Sequence, residues 1–188
     1  MKASVASTTI ALELKEVLAE VDDTQAALLA EKIVKANRVF LTGAGRSLLM
    51  VKCCAMRLMQ MGLTAYVPGE VVTPSIQPGD LLIVVSGSGE TGTVVLMANK
   101  AKKIGAEVAL ITMVPESTIG KMADAVITLK GNSPKAANNH KADSIQIGGG
   151  LFEISVLLFL EAIVLLVVEQ LGIEDPNKLL MENHANLE

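Results

Sequence analysis

Aromatic residues are scarce in this chain of 188 residues, which has no tryptophan, one tyrosine and three phenylalanines. Aromatic stacking can therefore contribute little to ligand binding. About half of the residues are nonetheless hydrophobic, so Leu, Val, Ile, Ala and Met must fill the core. Such a core is typical of helices packed on a parallel sheet. The length fits one domain spanning residues 1–188.

The sequence also has no large excess of charge of one sign. Its 16 basic and 20 acidic residues give a net charge of -4, and they are spread along the chain. This balance indicates no basic patch for binding nucleic acid, and we expect no nucleic-acid partner. An anionic ligand would need local, oriented hydrogen-bond donors instead.

Cysteine is limited to the adjacent pair Cys53 and Cys54. This spacing fits neither a disulfide framework nor a C-x-x-C metal or redox site. We interpret both as packing residues in a reducing cytosol, and we expect no metal site.

An apolar leader is also lacking, because charged residues from Glu13 onward interrupt the N-terminal segment. The most apolar segment, Leu151–Leu171, contains three glutamates, and a charge near a bilayer centre is costly. It predicts a buried or subunit-interface helix rather than a membrane span. We therefore expect a cytoplasmic protein without a membrane partner.

Helical and strand-like patterns alternate along the chain. The predicted elements are helices around Ile10–Val21 and Thr24–Ala36, strands at Arg38–Leu41, Thr64–Val67, Leu81–Val85, Val108–Thr112 and Ala125–Leu129, helices ending at Met61 and Lys103, and a short helix at Ser117–Met122. This order predicts an α/β fold: a doubly wound, flavodoxin-like, five-stranded parallel sheet flanked by helices, with an N-terminal helical pair and C-terminal helices. Ligands should bind outside the carboxyl ends of the strands. The polar stretch from Lys130 to Gly150 is either functional or mobile.

Two glycine-rich segments, Thr42–Ser47 and Ser86–Thr91, share one pattern: hydroxyl, Gly, small residue, Gly, charged residue, hydroxyl. We call them the first loop and the second loop. Each leaves a strand and opens a helix, so its glycines allow close backbone approach while free N–H groups face a ligand. The residues predicted to bind the substrate or its phosphate are Gly45, Arg46, Ser47, Ser86, Gly87, Ser88, Gly89 and Thr91.

Two other interpretations of these loops compete with phosphate binding. Each loop alone could be a tight turn with a capping hydroxyl, but capping does not require two matching loops in one sheet. The second loop also contains the dinucleotide pattern G-x-G-x-x-G. Leu48 breaks that pattern in the first loop, and Glu107 begins its strand, whereas a ribose-binding carboxylate should end one. We therefore disfavour NAD and expect no cofactor.

Six segments carry a resemblance to a known family: Gly43–Ser47, Ala55–Leu58, Gly69–Glu70 with Thr73–Pro74, Ser86–Thr91, Leu151–Glu153 and His184–Glu188. On these the chain resembles the sugar isomerase (SIS) domain family over nearly its whole length. Within that family it is similar to the enzymes that isomerise 3-hexulose 6-phosphate in the ribulose monophosphate pathway. The second loop is shared by most SIS domains, whereas the His-Ala-Asn-Leu-Glu end is far more restricted.

The resemblance implies a homotetramer that converts D-arabino-3-hexulose 6-phosphate to fructose 6-phosphate through a cis-enediolate, without a redox cofactor. It implies phosphate binding by the hydroxyls of both loops, base catalysis by Glu153, and a C-terminal histidine, here His184, that reaches a neighbouring subunit's site. The chain departs from similar sequences at Gly148–Gly150, where a Ser or Thr usually stands beside one Gly. This change removes a possible helix cap or substrate contact.

The proposed catalytic residues have simpler explanations as well. Glu153 could be a first-turn glutamate stabilised by the helix dipole, His184 an exposed histidine on a frayed tail, and Arg46 a member of a surface salt bridge. In catalysis, His184 would act as an acid or open a cyclic sugar, and Arg46 would stabilise developing negative charge. The alternative functions are another sugar-phosphate isomerase, acting on arabinose 5-phosphate or a heptose phosphate, and a non-catalytic sugar-phosphate sensor.

Overall fold

Five short strands form one parallel sheet in the computed structural model, which describes residues 1–132 and 142–187. The strands are β1 (Val39–Gly43), β2 (Ala65–Tyr66), β3 (Leu81–Val85), β4 (Glu107–Thr112) and β5 (Ala125–Thr128). The helices are α1 (Ala3–Leu18), α2 (Asp23–Lys35), α3 (Arg46–Gln60), α4 (Gly92–Ile104), α5 (Gly150–Gln170) and α6 (Pro176–Glu182). The order β2-β1-β3-β4-β5 confirms the predicted α/β sheet. Part of the polar stretch predicted at Lys130–Gly150 lies outside the described residues.

The centre of the sheet is apolar on both faces. All five residues of β3 are buried, as expected for a strand covered on both sides. Helices α2, α3 and α5 cover one face with the larger core cluster, whose members include Ile33, Leu58 and Ile163. Helix α4 covers the other face through Val94, Ala98 and Ala101. Helix α1 packs on the start of α5.

The chain changes direction between β1 and β3. After β1 it passes through α3 to β2 on one side, and after β3 it passes through α4 to β4 on the other. Such a topological switch opens a crevice at the carboxyl edge of the sheet, where ligands of open α/β folds bind. The first and second loops follow β1 and β3, so both lie at this crevice.

The predicted helix at Ser117–Met122 is wrong. The hydroxyl of Ser117 accepts a hydrogen bond from the Gly120 amide, and Lys121 N donates to Ser117 O, but only turns form. The chain has no room for a longer helix because Asp124 N already bonds Val108 O at the start of β5. The helical pattern of these residues was visible in the sequence, whereas the return of the chain to the sheet was not.

Helix α5 is long and apolar enough to cross a membrane, the one such helix among the described residues. Half of its most apolar window is buried inside the fold. Its buried side chains include Phe152, Val156 and Ile163, which belong to the larger core cluster. The contacts of α5 with α2 and α3 therefore account for much of its hydrophobicity.

Candidate active site

The first and second loops lie side by side because β1 and β3 pair up to their last residues, Gly43 and Val85. A Cβ atom on Gly43 would lie 3.0 Å from Val85 O and 3.1 Å from Leu48 N. Since real Cβ atoms rarely approach backbone so closely, only glycine fits here without a shift. The close approach brings the starts of α3 and α4 to the same crevice.

The first loop ends in an open helix terminus. Gly45, at the N-cap of α3, has φ 57° and ψ -132°, and no side chain of the described residues caps the helix. Ser47, in the first turn, is 9% exposed. Its hydroxyl has no hydrogen-bond partner within the described residues. The helix thus presents backbone amides and a hydroxyl that the fold itself does not use.

The second loop is held by its own hydroxyls. The Gly89 amide donates to Ser86 Oγ at 3.1 Å, and the Glu90 amide donates to Ser88 Oγ at 3.2 Å. Ser86 Oγ also lies 3.3 Å from Thr91 Oγ1. Thr91 is the N-cap of α4, yet its side chain caps no amide. The three hydroxyls at 86, 88 and 91 are therefore gathered around a second open helix terminus.

Two other helices, α2 and α6, are capped by aspartates, whereas α1 and α5 have no capping side chain at the N-cap among the described residues. The carboxylate of Asp22 accepts from the first-turn amides of α2, and Asp175 accepts from Lys178 N in α6. An aspartate at the start of α3 or α4 would repel a phosphate, whereas uncapped amides attract one. The uncapped ends of α3 and α4 are thus compatible with an external anion.

The turn after β4 clamps the second loop. Met113 N and Thr112 Oγ1 donate to Gly87 O at 3.1 and 3.2 Å, and Ile119 N donates to Gly89 O at 3.3 Å. Gly89 has φ 63°, and a Cβ there would lie 1.9 Å from Ser117 Oγ. The loop is therefore fixed in shape before any ligand binds.

Glu90 supplies the outermost contact of this clamp. Its Oε1 accepts from Thr118 N at 2.6 Å. The hydrogen bond from the Thr118 backbone lowers the pKa of the Glu90 carboxyl, with a further contribution from the Thr118 side chain. The Glu90 carboxylate therefore faces the neighbouring turn.

Glu153 reaches the crevice from a third direction. It lies in the first turn of α5, where its amide bonds Gly149 O. Its carboxylate Oε2 accepts a hydrogen bond from Arg46 Nε. The Glu153 side chain is 16% exposed and that of Arg46 59%. A carboxylate and a guanidinium thus lie together beside the first loop.

The glycines at 148–150 shape the space around Glu153. A Cβ on Gly149 would lie 3.2 Å from Glu153 Oε1, so any side chain there would contact the carboxylate. The amide of Leu151 donates instead to Asn132 Oδ1 at 3.3 Å. Asn132 thus satisfies one of the first amides of α5.

His184 is not near these groups within its own chain. It is exposed and follows α6, and the preceding Asn183 donates its side-chain amide to Gln60 O at 3.1 Å. Gln60 ends α3, whereas Arg46 begins it, and this length of helix spans about 20 Å. The structure therefore brings together all of the predicted site residues except His184.

The sequence analysis did not identify the residues that hold the second loop and the start of α5 in place. Glu90, Thr118 and Asn132 act on the loops or on α5 through backbone contacts, which leave no local sequence pattern. Within the described ranges, no cluster of three or more His, Cys, Asp or Glu side chains could hold a metal ion.

Comparisons with known proteins identify similar sequences along nearly the whole chain. The family profile described as "SIS domain" matches residues 32–146. The 3-hexulose-6-phosphate isomerase of Bacillus subtilis (strain 168) is 44% identical over 94% of both chains. That of Mycobacterium gastri is 42% identical over 94% of this chain and 86% of its own.

A solved structure is also similar. The crystal structure of a hypothetical protein from Methanococcus jannaschii, described as inferring a molecular function of 3-hexulose-6-phosphate isomerase, superposes with a TM-score of 0.78. It is 31% identical, and the match covers 98% of each chain.

Proposed function

The chain belongs to the SIS domain family, and we propose that it is an isomerase that converts D-arabino-3-hexulose 6-phosphate to fructose 6-phosphate. The observation that carries this proposal is the meeting of two uncapped, hydroxyl-bearing helix ends with the Glu153–Arg46 pair in one crevice. The first feature suits a phosphate, and the second suits proton transfer beside a carbonyl.

The phosphate would bind between the two loops. The hydroxyls of Ser47, Ser86, Ser88 and Thr91, with the first amides of α3 and α4, supply neutral donors to a dianion. Such bonds to a charged acceptor are stronger than bonds between neutral groups. Gly45, Gly87 and Gly89 leave the backbone accessible to the phosphate oxygens.

Proton transfer would use the free oxygen of Glu153. Arg46 occupies Oε2, whereas Oε1 lies beside Gly149, where no side chain intervenes. Glu153 removes the proton from C2 of the substrate, and charge moves onto the C3 oxygen to give a cis-enediolate. The same carboxylate returns the proton to C3 while the O2 proton passes to O3, which leaves the carbonyl at C2.

Arg46 would stabilise the enediolate. Its guanidinium is held beside the base, so it is in place for the negative charge that develops on the substrate oxygens. Its pairing with Glu153 is thus compatible with a catalytic role.

His184 would act in a neighbouring subunit of a homotetramer. Its distance from Glu153 in the same chain supports this arrangement, because an acid or ring-opening group must contact the sugar. Exposed apolar side chains on α3 and α5 support subunit contact: Leu49, Met56, Met59, Leu158 and Leu165. We further propose a cytoplasmic enzyme that works without a nucleic-acid or membrane partner.

A coupled reaction tests the proposed function. The purified protein is mixed with formaldehyde, ribulose 5-phosphate and a hexulose-phosphate synthase, and fructose 6-phosphate is measured. We expect this product to form only when both proteins are present. Its absence, with the synthase shown to be active, would contradict the proposal.

Parallel reactions separate the alternatives. Faster turnover of arabinose 5-phosphate or a heptose phosphate would reassign the substrate within the same chemistry. Thermal stabilisation by fructose 6-phosphate without turnover of any sugar phosphate would indicate a sensor instead.

A further inference from the structure

Helix α1 lies outside the sheet, yet it contacts the segment that leads into the candidate base. Glu13 of α1 reaches residues 144–146, which lie just before α5. Its Oε2 accepts from Ser144 Oγ at 2.7 Å and from Gln146 Nε2 at 3.1 Å, and its Oε1 accepts from Ile145 N at 2.9 Å. One carboxylate thus holds three consecutive residues.

The contacts continue from this segment to the first turn of α5. The Gln146 amide donates to Ser144 Oγ at 3.0 Å, and Gln146 O accepts from Asn132 Nδ2 at 2.9 Å. Asn132 Oδ1 in turn accepts from the amide of Leu151. A continuous chain of hydrogen bonds therefore links Glu13 to a residue two positions before Glu153.

Apolar packing runs parallel to these hydrogen bonds. Leu14 and Val17 of α1 are buried in a small cluster with Leu151, and Ile154 packs against it. Leu151 and Ile154 flank Glu153 in the chain, so α1 contacts the first turn of α5 on both sides of the base. Glu13 lies next to Leu14 and adds the polar part of the same interface.

We propose that Glu13 is a positioning residue for the isomerisation, which fixes the direction of the Glu153 carboxylate through residues 144–146 and Asn132. This inference rests on the proposed function of Glu153. Glu13 does not touch the crevice loops, so it should affect the chemical step and not phosphate binding. A base displaced by a fraction of an ångström loses much of its effect while substrate affinity is retained.

Helix α1 offers a matched control. Glu16 lies one turn further along the same helix and is exposed. Its carboxylate has no hydrogen-bond or ion-pair partner within the described residues. Replacing Glu16 thus removes the same charge from the same helix without touching residues 144–146.

The test compares Glu13→Ala, Glu13→Gln and Glu16→Ala in the full-length protein. For Glu13→Ala we expect kcat to fall about tenfold with KM changed less than about twofold. Glu13→Gln keeps the shape and can still accept from Ile145 N, so it should recover part of kcat. Glu16→Ala should match the wild type.

Hydrogen–deuterium exchange without substrate provides a second measurement. In Glu13→Ala the amides of Ile145, Gln146 and Leu151 should exchange faster, and those of the second loop should not. Should Glu13→Ala fail to fold, Glu13→Gln carries the same comparison with a smaller expected change.

The outcomes separate this inference from the proposed function. Unchanged exchange at residues 144–151, faster exchange with unchanged kcat, or equal kcat losses in Glu13→Ala and Glu16→Ala would each overturn the role of Glu13 while the isomerase activity stands. A wild-type protein that converts no sugar phosphate would overturn the proposed function, and with it the catalytic role of Glu13.

Discussion

Ser47 is buried at the start of α3, yet within the described residues its hydroxyl has no partner. Removing it should therefore cost the fold little. If it donates to the phosphate dianion, Ser47→Ala should raise KM about 10- to 100-fold, because a hydrogen bond to a charged group contributes about 1.5–3 kcal/mol. Steady-state kinetics on 3-hexulose 6-phosphate measures this change.

Ser155→Ala is the matched control for Ser47→Ala. Its hydroxyl is also buried and has no partner in the part of the chain that the structure describes. Because it lies in the core, its removal should leave KM unchanged and should not destabilise the protein. Equal KM values in both variants would remove Ser47 from the phosphate site.

A substitution of Glu153 tests proton transfer separately from substrate binding. Glu153→Gln keeps the size of the side chain and its contact with Arg46, but the amide cannot accept a proton from carbon. We expect kcat to fall on the order of 10²- to 10⁴-fold, as for loss of a general base, with thermal stabilisation by fructose 6-phosphate retained. Glu169→Gln, at an exposed position of the same helix, should behave as the wild type. Near-normal turnover in Glu153→Gln would assign the base elsewhere.

At the scale of elements, sequence patterns predicted the loops and strands whose conformation depends on neighbouring residues in the chain. The glycine and hydroxyl spacing predicted both loops, and continuous apolar runs predicted the strands. The turn after β4 was predicted wrongly because its amides bond Glu90 and Gly89, contacts that depend on how two loops meet. The catalytic role of Glu153 was predicted from the resemblance to the SIS family and not from residue spacing, because a glutamate in the first turn of a helix is common.

Because Glu90 accepts a hydrogen bond from Thr118, we expect the stability that this contact gives the protein to depend on pH. The folded-state pKa of Glu90 lies below its ordinary value of 4.5, so its contribution is present above that pH and is lost as the pH falls through the folded-state pKa. Glu90→Gln should therefore destabilise the protein at pH 7, and the difference from the wild type should shrink in acid. Chemical unfolding at a series of pH values measures it.

Glu174→Gln serves as the control for Glu90→Gln, because Glu174 is exposed and lies near the end of the chain. This variant removes a surface carboxylate and leaves the Thr118 contact intact, so it gives the baseline for the comparison. A Glu90→Gln difference that does not change with pH would mean that the Thr118 contact does not stabilise the fold.

At the scale of the whole molecule, the sequence predicted a parallel sheet but could not predict how far His184 lies from Glu153. Helix α6 returns to the end of α3 through the contact of Asn183 with Gln60, a long-range contact that periodicity does not reveal. Since α3 separates this end from the crevice, one folded chain presents the proposed base, Glu153, without the proposed acid, His184. In an oligomer, the C-terminal segment of each chain could place His184 beside Glu153 of its neighbour, so that both sites would be complete.

Mixing two inactive variants tests this arrangement. Glu153→Gln has an intact His184, and a His184→Ala variant has an intact Glu153. If each site takes its histidine from a neighbour, random reassembly in equal amounts places both intact residues in about one quarter of the sites. The mixture should then regain about a quarter of wild-type activity, measured after mild dissociation and reassociation. Mixing Glu153→Gln with the double variant should restore nothing, because no intact Glu153 is present. If the first mixture also stays inactive although native mass spectrometry shows mixed oligomers, His184 does not act across subunits.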